Sequence, residues 1–180
     1  MVFPHVFSWL IDNPLRRVII SPEEFAQRLS LRGDEAVLEV GPGSGYFSVP
    51  LARALPQGRL HLLDVQLEML EKVRRKIERL GIDNVEFTRL DAGAIFPFPD
   101  SHFDVAVLVS VLGEVADQAS CLASLYRVLR PDGVLAIHES IPDPDLIPFG
   151  VLTALVVAHG FVPARRFGGA YNYTALFTKR

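Results

Sequence analysis

The stretch VLEVGPGSGYFSVPLAR, residues 37–53, joins a run of β-formers to a helical pattern through glycines at 41, 43 and 45. EAVLEV (35–40) reads as a buried strand, and in SGYFSVPLARAL (44–55) Phe47, Leu51 and Leu55 recur at helical spacing before PQG ends the run. Pro50 sits inside this pattern, and a helix starting near Tyr46 would hold it in the first turn, where its missing N–H matters little. Glycines between a strand and a helix let the backbone pass close to a ligand beyond the carboxyl end of the strand. The spacing here is G-x-G-x-G, with Tyr46 where a dinucleotide fingerprint has its last glycine. By itself the turn equally suits a tight strand–helix connection that holds nothing.

The same alternation extends outward. Upstream, Ser21, Pro22 and Glu24 form a helix-start signal for residues 21–33. Downstream, RLHLLD (59–64) reads as a strand and QLEMLEKVRRKIERLG (66–81) as a helix, with Leu67, Leu70, Val73, Ile77 and Leu80 on one side. Its basic run VRRKIER reads as a solvated face paired with Glu71 and Glu78. NVEFTRL, FDVAVLVSVL and GVLAIHES read as further strands, with the helix DQASCLASLYRVLR and the turn PDG before the last of them. Strands alternating with helices in this way predict parallel βαβ units. The C-terminal region departs from the pattern. After the helical LIPFGVLTALVVAHG, FVPARRF and AYNYTALFTKR are separated only by GG, which suits an antiparallel hairpin and not a helical crossover. The expected fold is therefore α/β, a doubly wound, Rossmann-like, mostly parallel seven-stranded sheet with an antiparallel C-terminal hairpin strand. One domain is expected over 1–180, comprising an N-terminal helical cap (1–32), a core (33–140) and a C-terminal helix and hairpin (141–180).

Bulk properties narrow the function classes. The chain has 180 residues, 49% hydrophobic and 22% charged, with net charge −3, so no attraction to nucleic acid is expected. The lone Cys121 excludes an internal disulfide and a cysteine-cluster metal site, and no His/Asp/Glu set has ligand spacing, so no metal is expected. MVFPHVFSWLIDNPLRR is apolar but lacks a basic start, is interrupted by Pro4 and Asp12, and does not read as a signal peptide. A cytoplasmic protein is expected. Phe3, Val6, Phe7, Trp9, Leu10 and Ile11 could cover the domain or touch a membrane surface peripherally.

Two acidic residues give the glycine turn its context. Asp64 ends the second strand, where a carboxylate can accept from both hydroxyls of a ribose; an acid there would also favour the N-terminus of the next helix. Asp91 follows the third strand, where a carboxylate can accept from an adenine amine while the Ala92 N–H donates to a ring nitrogen; an Asx turn is the alternative. Features of this kind at three successive strand ends are hard to ascribe to coincidence.

With these residues in place, the chain resembles the class I S-adenosylmethionine-dependent methyltransferases, the small bacterial type similar to ubiquinone/menaquinone C-methyltransferases. VLEVGPGSG, LHLLDVQLEMLEKVRRK, NVEFTRLDAGAIFPFPDSHFDVAVLVSVLGEV and LYRVLRPDGVLAIHES carry the resemblance across residues 35–140. It implies S-adenosyl-L-methionine as cofactor and S-adenosyl-L-homocysteine as product. It also implies Glu39, Gly41, Gly43 and Gly45 around the methionine part, with Glu39 acting on its amino group. Asp64 would take the ribose hydroxyls, Val65 and Met69 would pack on adenine or ribose, and Asp91 and Ala92 would read the adenine edge. Ser110 would lie beside methionine and acceptor. Met69 also shares helical spacing with Leu70 and Val73, so a core position competes with that role.

Methyl transfer from a sulfonium requires positioning and water exclusion more than a nucleophilic side chain. His138 and Glu139, ending the strand AIHES, are the candidate catalytic groups for a proton on the acceptor; a satisfied strand-end pair is the alternative. His5, Tyr171 and Tyr173 could approach from flanking segments. Asp104 begins its strand and is assigned a structural role, and His159 that of a helix C-terminal partner. The expected partner is a small, apolar methyl acceptor. The alternatives are a nucleotide-binding oxidoreductase and a non-catalytic S-adenosylmethionine-binding protein.

Overall fold

The computed structural model describes residues 21–180; the apolar N-terminal residues named above, His5 and most of the expected cap lie outside the described residues. The described chain forms two compact units, residues 21–91 and 92–180.

In the first unit, α1 (Pro22–Leu29) starts where the sequence signals it: Ser21 Oγ accepts from the Glu24 N–H at 2.9 Å and Glu23 and Glu24 favour the positive helix end. Its Phe25 is fully buried, a burial that stabilises by about 1.5–3 kcal/mol. Strand β1 (Ala36–Val40) leads through the glycine turn into α2 (Ser48–Arg53). Pro50 is the third helical residue, within the first turn where N–H groups have no helical acceptor in any case. Strand β2 (Arg59–Asp64) pairs in parallel with β1, Val40 opposite Leu63. Helix α3 (Leu67–Arg79) buries Met69, Leu70, Val73 and Ile77 on one face. Strand β3 (Val85–Arg89) pairs in parallel with β2, Asp64 opposite Arg89. The Asn84 side chain donates to the carbonyls of Ala52 and Leu55 at 2.9 and 2.7 Å, tying the entry of β3 to the end of α2.

In the second unit, β4 (Phe103–Val109) pairs in parallel with β5 (Leu129–Ser140), and α4 (Gln118–Val128) connects them, capped by Asp117 Oδ1 on the Ser120 N–H at 2.9 Å. The expected turn PDG is absorbed into β5: the register jumps between Phe103 and Val105, and Asp132 takes a left-handed φ of 62°. The buried face of the loop before β4 is held by Arg127, which donates to the carbonyls of Phe96 and Phe98 at 2.6 and 2.7 Å. Asp104 at the start of β4 is ion-paired with Arg130 at the start of β5, the structural role expected of it. Helix α5 (Phe149–Ala158) ends with His159 Nδ1 2.8 Å from the Leu155 carbonyl, also as expected. Strands β6 (Phe161–Gly168) and β7 (Asn172–Lys179) form the antiparallel hairpin, and β7 pairs antiparallel with β5. The hairpin loop is residues 169–171 and not the two glycines: β6 continues into Gly168, whose φ of 89° and lack of a side chain let the Asn172 carbonyl close the turn.

The strand order is β3-β2-β1-β4-β5-β7-β6, a seven-stranded sheet in which β7 runs antiparallel to both β5 and β6. This is the α/β architecture the alternation predicts. Among the described residues no helix is long and apolar enough to cross a membrane.

Candidate functional site

The first unit brings the glycine turn and two carboxyl groups together at the carboxyl ends of β1 and β2. Gly41, Gly43 and Gly45 have φ of 67°, 54° and 74°, all in the left-handed region that strains a residue with a side chain. They are not equivalent. A Cβ on Gly45 would lie 2.9 Å from Val73 Cγ1, so this glycine lets the turn pack against α3. A Cβ on Gly43 would meet nothing within 4 Å, so the backbone there faces open space. Gly41 holds the turn to the sheet through its N–H, which donates to the Leu63 carbonyl at 2.8 Å.

Asp64 ends β2 and is 8% exposed, a buried position for a carboxylate. Its Oδ1 accepts from the Gln66 N–H at 2.8 Å. Burial raises its pKa, while the N–H groups of Gln66, Gly43 and Val65 counter that rise. Those donors keep a carboxylate ready to accept further hydrogen bonds.

Glu39 lies deeper, in β1, and is 3% exposed. Burial pushes its carboxyl up to about 7; the Asp64 charge adds to this, and Ser48 and Lys76 oppose it. Although Ser48 is near enough to act on the carboxyl, neither Glu39 Oε2 nor Ser48 Oγ completes a hydrogen bond of normal geometry among the described residues. An unsatisfied buried carboxyl oxygen is expensive, and its presence calls for a donor or a cation. The Tyr46 hydroxyl, in the same turn, is likewise buried without a partner.

Lys76 departs from the expectation that the basic run of α3 lies in solvent. Its Nζ donates to the carbonyls of Gly45 and Ser44 at 3.2 and 3.5 Å, bracing the turn from beneath. No local pattern in the sequence marks it, because its acceptors lie 31 and 32 residues away. Arg74 is also engaged, its guanidinium 4.2 Å from the Phe87 ring centroid. Of the remaining candidates in this unit, Val65 is 36% exposed and Asp91 is exposed after β3. Met69 is 2% exposed, in the buried face of α3, the core position that competes with a ligand contact.

The second unit begins with half-buried Ala92 and brings Ser110 and His138 together. Ser110 follows β4 with φ 52°; its N–H donates to the His138 carbonyl at 2.9 Å, and its buried Oγ has no hydrogen-bond partner among the described residues. His138 is 1% exposed, with Nδ1 3.0 Å from Thr174 Oγ1 of β7. Glu139 is fully buried, its Oε2 accepting from the Ile147 N–H at 3.4 Å and its Oε1 without a partner among the described residues. Burial pushes its carboxyl up to about 8, with Asp143 adding to the rise. Tyr173 is also fully buried, and its hydroxyl donates to the Ile147 carbonyl. Tyr171 is exposed, 66%, in the hairpin loop.

Residues 31–152 match a family model described as a methyltransferase domain. Ubiquinone/menaquinone biosynthesis C-methyltransferase UbiE of Marinomonas sp. is 37% identical over 120 residues, covering 65% of this chain and 47% of that protein. The UbiE of Psychromonas ingrahamii is 37% identical over 111 residues, covering 61% and 44%. The chain thus spans about half the length of the curated relatives it matches. Among solved structures, a SAM-dependent methyltransferase from Aquifex aeolicus superposes with a TM-score of 0.90 at 23% identity, covering 99% of this chain and all of that one. The cyclase SpnF shares the fold with a TM-score of 0.72 at 21% identity, over 81% of this chain and 58% of its own. With the family model covering most of the chain and the fold agreeing with it, the chain belongs to the class I S-adenosylmethionine-dependent methyltransferase family.

Proposed function

We propose that the protein methylates a small, apolar acceptor, using S-adenosyl-L-methionine held at the ends of β1, β2 and β3. The observation that carries this reading is the pairing of a buried carboxyl oxygen that completes no hydrogen bond among the described residues, Glu39 Oε2, with an open glycine backbone at Gly43. These residues fit the cofactor: a buried acid wants a cation such as the amino group of the methionine part, and an open turn accepts close approach. Asp64 takes the ribose hydroxyls, Gly41 and Gly45 shape the turn, Val65 and Met69 flank the adenosine, and Asp91 and Ala92 read the adenine edge. Ser110 lies on the acceptor side. The cofactor supplies an already activated methyl group, so the chain's own work is to bind, orient and exclude water.

The relatives named as acting in ubiquinone and menaquinone biosynthesis support carbon methylation of a quinone-like ring as the reaction. His138 and Glu139 are then the groups to take a proton from that ring. The whole of residues 1–180 acts as one methyltransferase domain in this reading.

Thermal denaturation with S-adenosyl-L-homocysteine or NAD separates the first alternatives, because a ligand that binds only the folded chain raises the midpoint. Stabilisation by S-adenosyl-L-homocysteine alone is expected; stabilisation by NAD alone would replace the reading with an oxidoreductase. Incubation with methyl-labelled cofactor and prenylated phenols then tests transfer. Cofactor binding with no label on any such phenol would remove the proposed acceptor class.

A further inference from the structure

Arg74, Arg75 and Arg79 of α3 are exposed, while Lys76 is half-buried. An ammonium drawn out of water needs acceptors in its place. Lys76 Nζ has two, the carbonyls of Gly45 and Ser44 at 3.2 and 3.5 Å. Two consecutive carbonyls thus turn their negative ends toward one cation. In a trans peptide the N–H points away from the carbonyl, so the pull on the Ser44 carbonyl directs the Gly45 N–H away from Lys76. That N–H donates to the Pro42 carbonyl at 2.9 Å, and the Gly41 N–H donates to the Leu63 carbonyl at 2.8 Å. Gly43 sits between these anchors with its backbone facing open space. Glycines at left-handed φ have no side chains to hold them, so hydrogen bonds of this kind must fix the shape of the turn.

The same ammonium acts on Glu39. Burial raises the Glu39 carboxyl to about 7; Ser48 lowers it, Asp64 raises it further and Lys76 lowers it. The charged groups facing Glu39 are therefore Asp64 at the end of β2 and Lys76 on α3, with Ser48 of α2 as a polar neighbour. Other charges nearby are engaged elsewhere. Glu35, just before β1, accepts from the N–H groups of Arg32 and Gly33 at 2.8 and 2.9 Å. Arg89 of β3 donates to the Val65 carbonyl at 3.3 Å, and Arg74 lies over the Phe87 ring.

We infer that Lys76 is a positioning residue for the cofactor: one ammonium holds the glycine turn in its open shape and sets its charge beside the Glu39 carboxyl that receives the amino group of the methionine part. The inference rests on the proposed cofactor reading of Glu39 and the turn. A neutral side chain at position 76 would leave two carbonyls without their cation. It would also move Glu39 toward its protonated form, so that an amino cation could bind only after a proton had left. Arginine would keep the charge and still offer donors.

The test is binding of S-adenosyl-L-homocysteine to the full chain by calorimetry, for the unsubstituted protein, Lys76→Gln and Lys76→Arg. At about pH 8.5, where Glu39 is largely ionised, Lys76→Gln should bind about tenfold more weakly, which reads the loss of the brace. At about pH 6 the loss should be several times larger, because the proton on Glu39 is then harder to remove. Lys76→Arg should keep the ratio of affinities between the two pH values seen in the unsubstituted chain. Urea unfolding without ligand adds a readout that does not involve the cofactor. The stability that Glu39 contributes in acid is lost as pH rises through about 7, and in Lys76→Gln this fall should continue to higher pH. Circular dichroism melting shows that each variant folds. Affinities of Lys76→Gln equal to those of the unsubstituted chain at both pH values overturn the inference and leave the cofactor reading standing. So does one and the same loss in Lys76→Gln and Lys76→Arg at both pH values. Failure of the unsubstituted chain to bind S-adenosyl-L-homocysteine at either pH overturns both.

Discussion

Burial, with the Asp64 carboxylate behind it, pushes the Glu39 carboxyl up to about 7, so two acidic groups on neighbouring strands share one site and compete for ionisation. An acid with a raised pKa in the folded state contributes stability below its unfolded value of about 4.5, and this is lost as pH rises through about 7. The span corresponds to roughly 3 kcal/mol at most. Without ligand, Glu39→Gln should flatten the fall in stability between about pH 4.5 and 7, as measured by urea unfolding at a series of pH values. A bound amino group would pull the Glu39 carboxyl down. Binding of S-adenosyl-L-homocysteine near pH 6.5 should therefore release a proton, visible by calorimetry in buffers of different ionisation heat, and Glu39→Gln should release none.

Asp64 already has backbone donors, and its further acceptor capacity is what a ribose would use. Asp64→Ala should weaken S-adenosyl-L-homocysteine at least tenfold, since a hydrogen bond to a charged group contributes about 1.5–3 kcal/mol. Equilibrium dialysis with labelled ligand measures this directly. Unchanged affinity would take the ribose away from Asp64.

The two inner glycines should separate folding from binding. Gly45→Ala places a methyl group 2.9 Å from Val73 Cγ1 in a left-handed residue and should destabilise the fold by about 2–4 kcal/mol. Gly43→Ala meets open space, so only backbone strain of about 1–2 kcal/mol is expected. Cofactor affinity should nevertheless fall more in Gly43→Ala, because its methyl group points where a ligand would lie. Paired melting and dialysis measurements on the two variants check the crossover.

The same residues mark how far the amino-acid pattern reaches. The strand ends near Glu39, Asp64 and Asp91 follow from short apolar runs alternating with a 3.6-residue pattern, which depend only on local side-chain spacing. The antiparallel ending is legible for the same reason, since a short glycine link cannot carry a crossover. Lys76 is not legible, because its acceptors lie 31 and 32 residues away and only packing of α3 brings them near. The unequal roles of Gly43 and Gly45 are hidden too, as they depend on where Val73 sits. Nor does the sequence show that Glu139 is fully buried with one oxygen unsatisfied, because the covering segment around Ile147 belongs to a loop.

That burial sets the last prediction. With its carboxyl pushed up to about 8, Glu139 is largely protonated at neutral pH and gains the ability to take a proton only as pH rises. If it serves the acceptor, the rate of methyl transfer at saturating cofactor should climb through about pH 8 and then level off. Glu139→Gln keeps an acceptor for the Ile147 N–H but cannot ionise, so it should lose that climb, with a rate lower by about 100-fold or more and little change in cofactor affinity. The stability consequence has the opposite sense: the folded chain should lose stability as pH rises from about 4.5 through 8, and Glu139→Gln should be the more stable protein at the alkaline end. A variant that gains alkaline stability yet keeps the full pH–rate profile would confine Glu139 to holding the loop. In that case His138, joined to Thr174 across β5 and β7, is the next group to substitute.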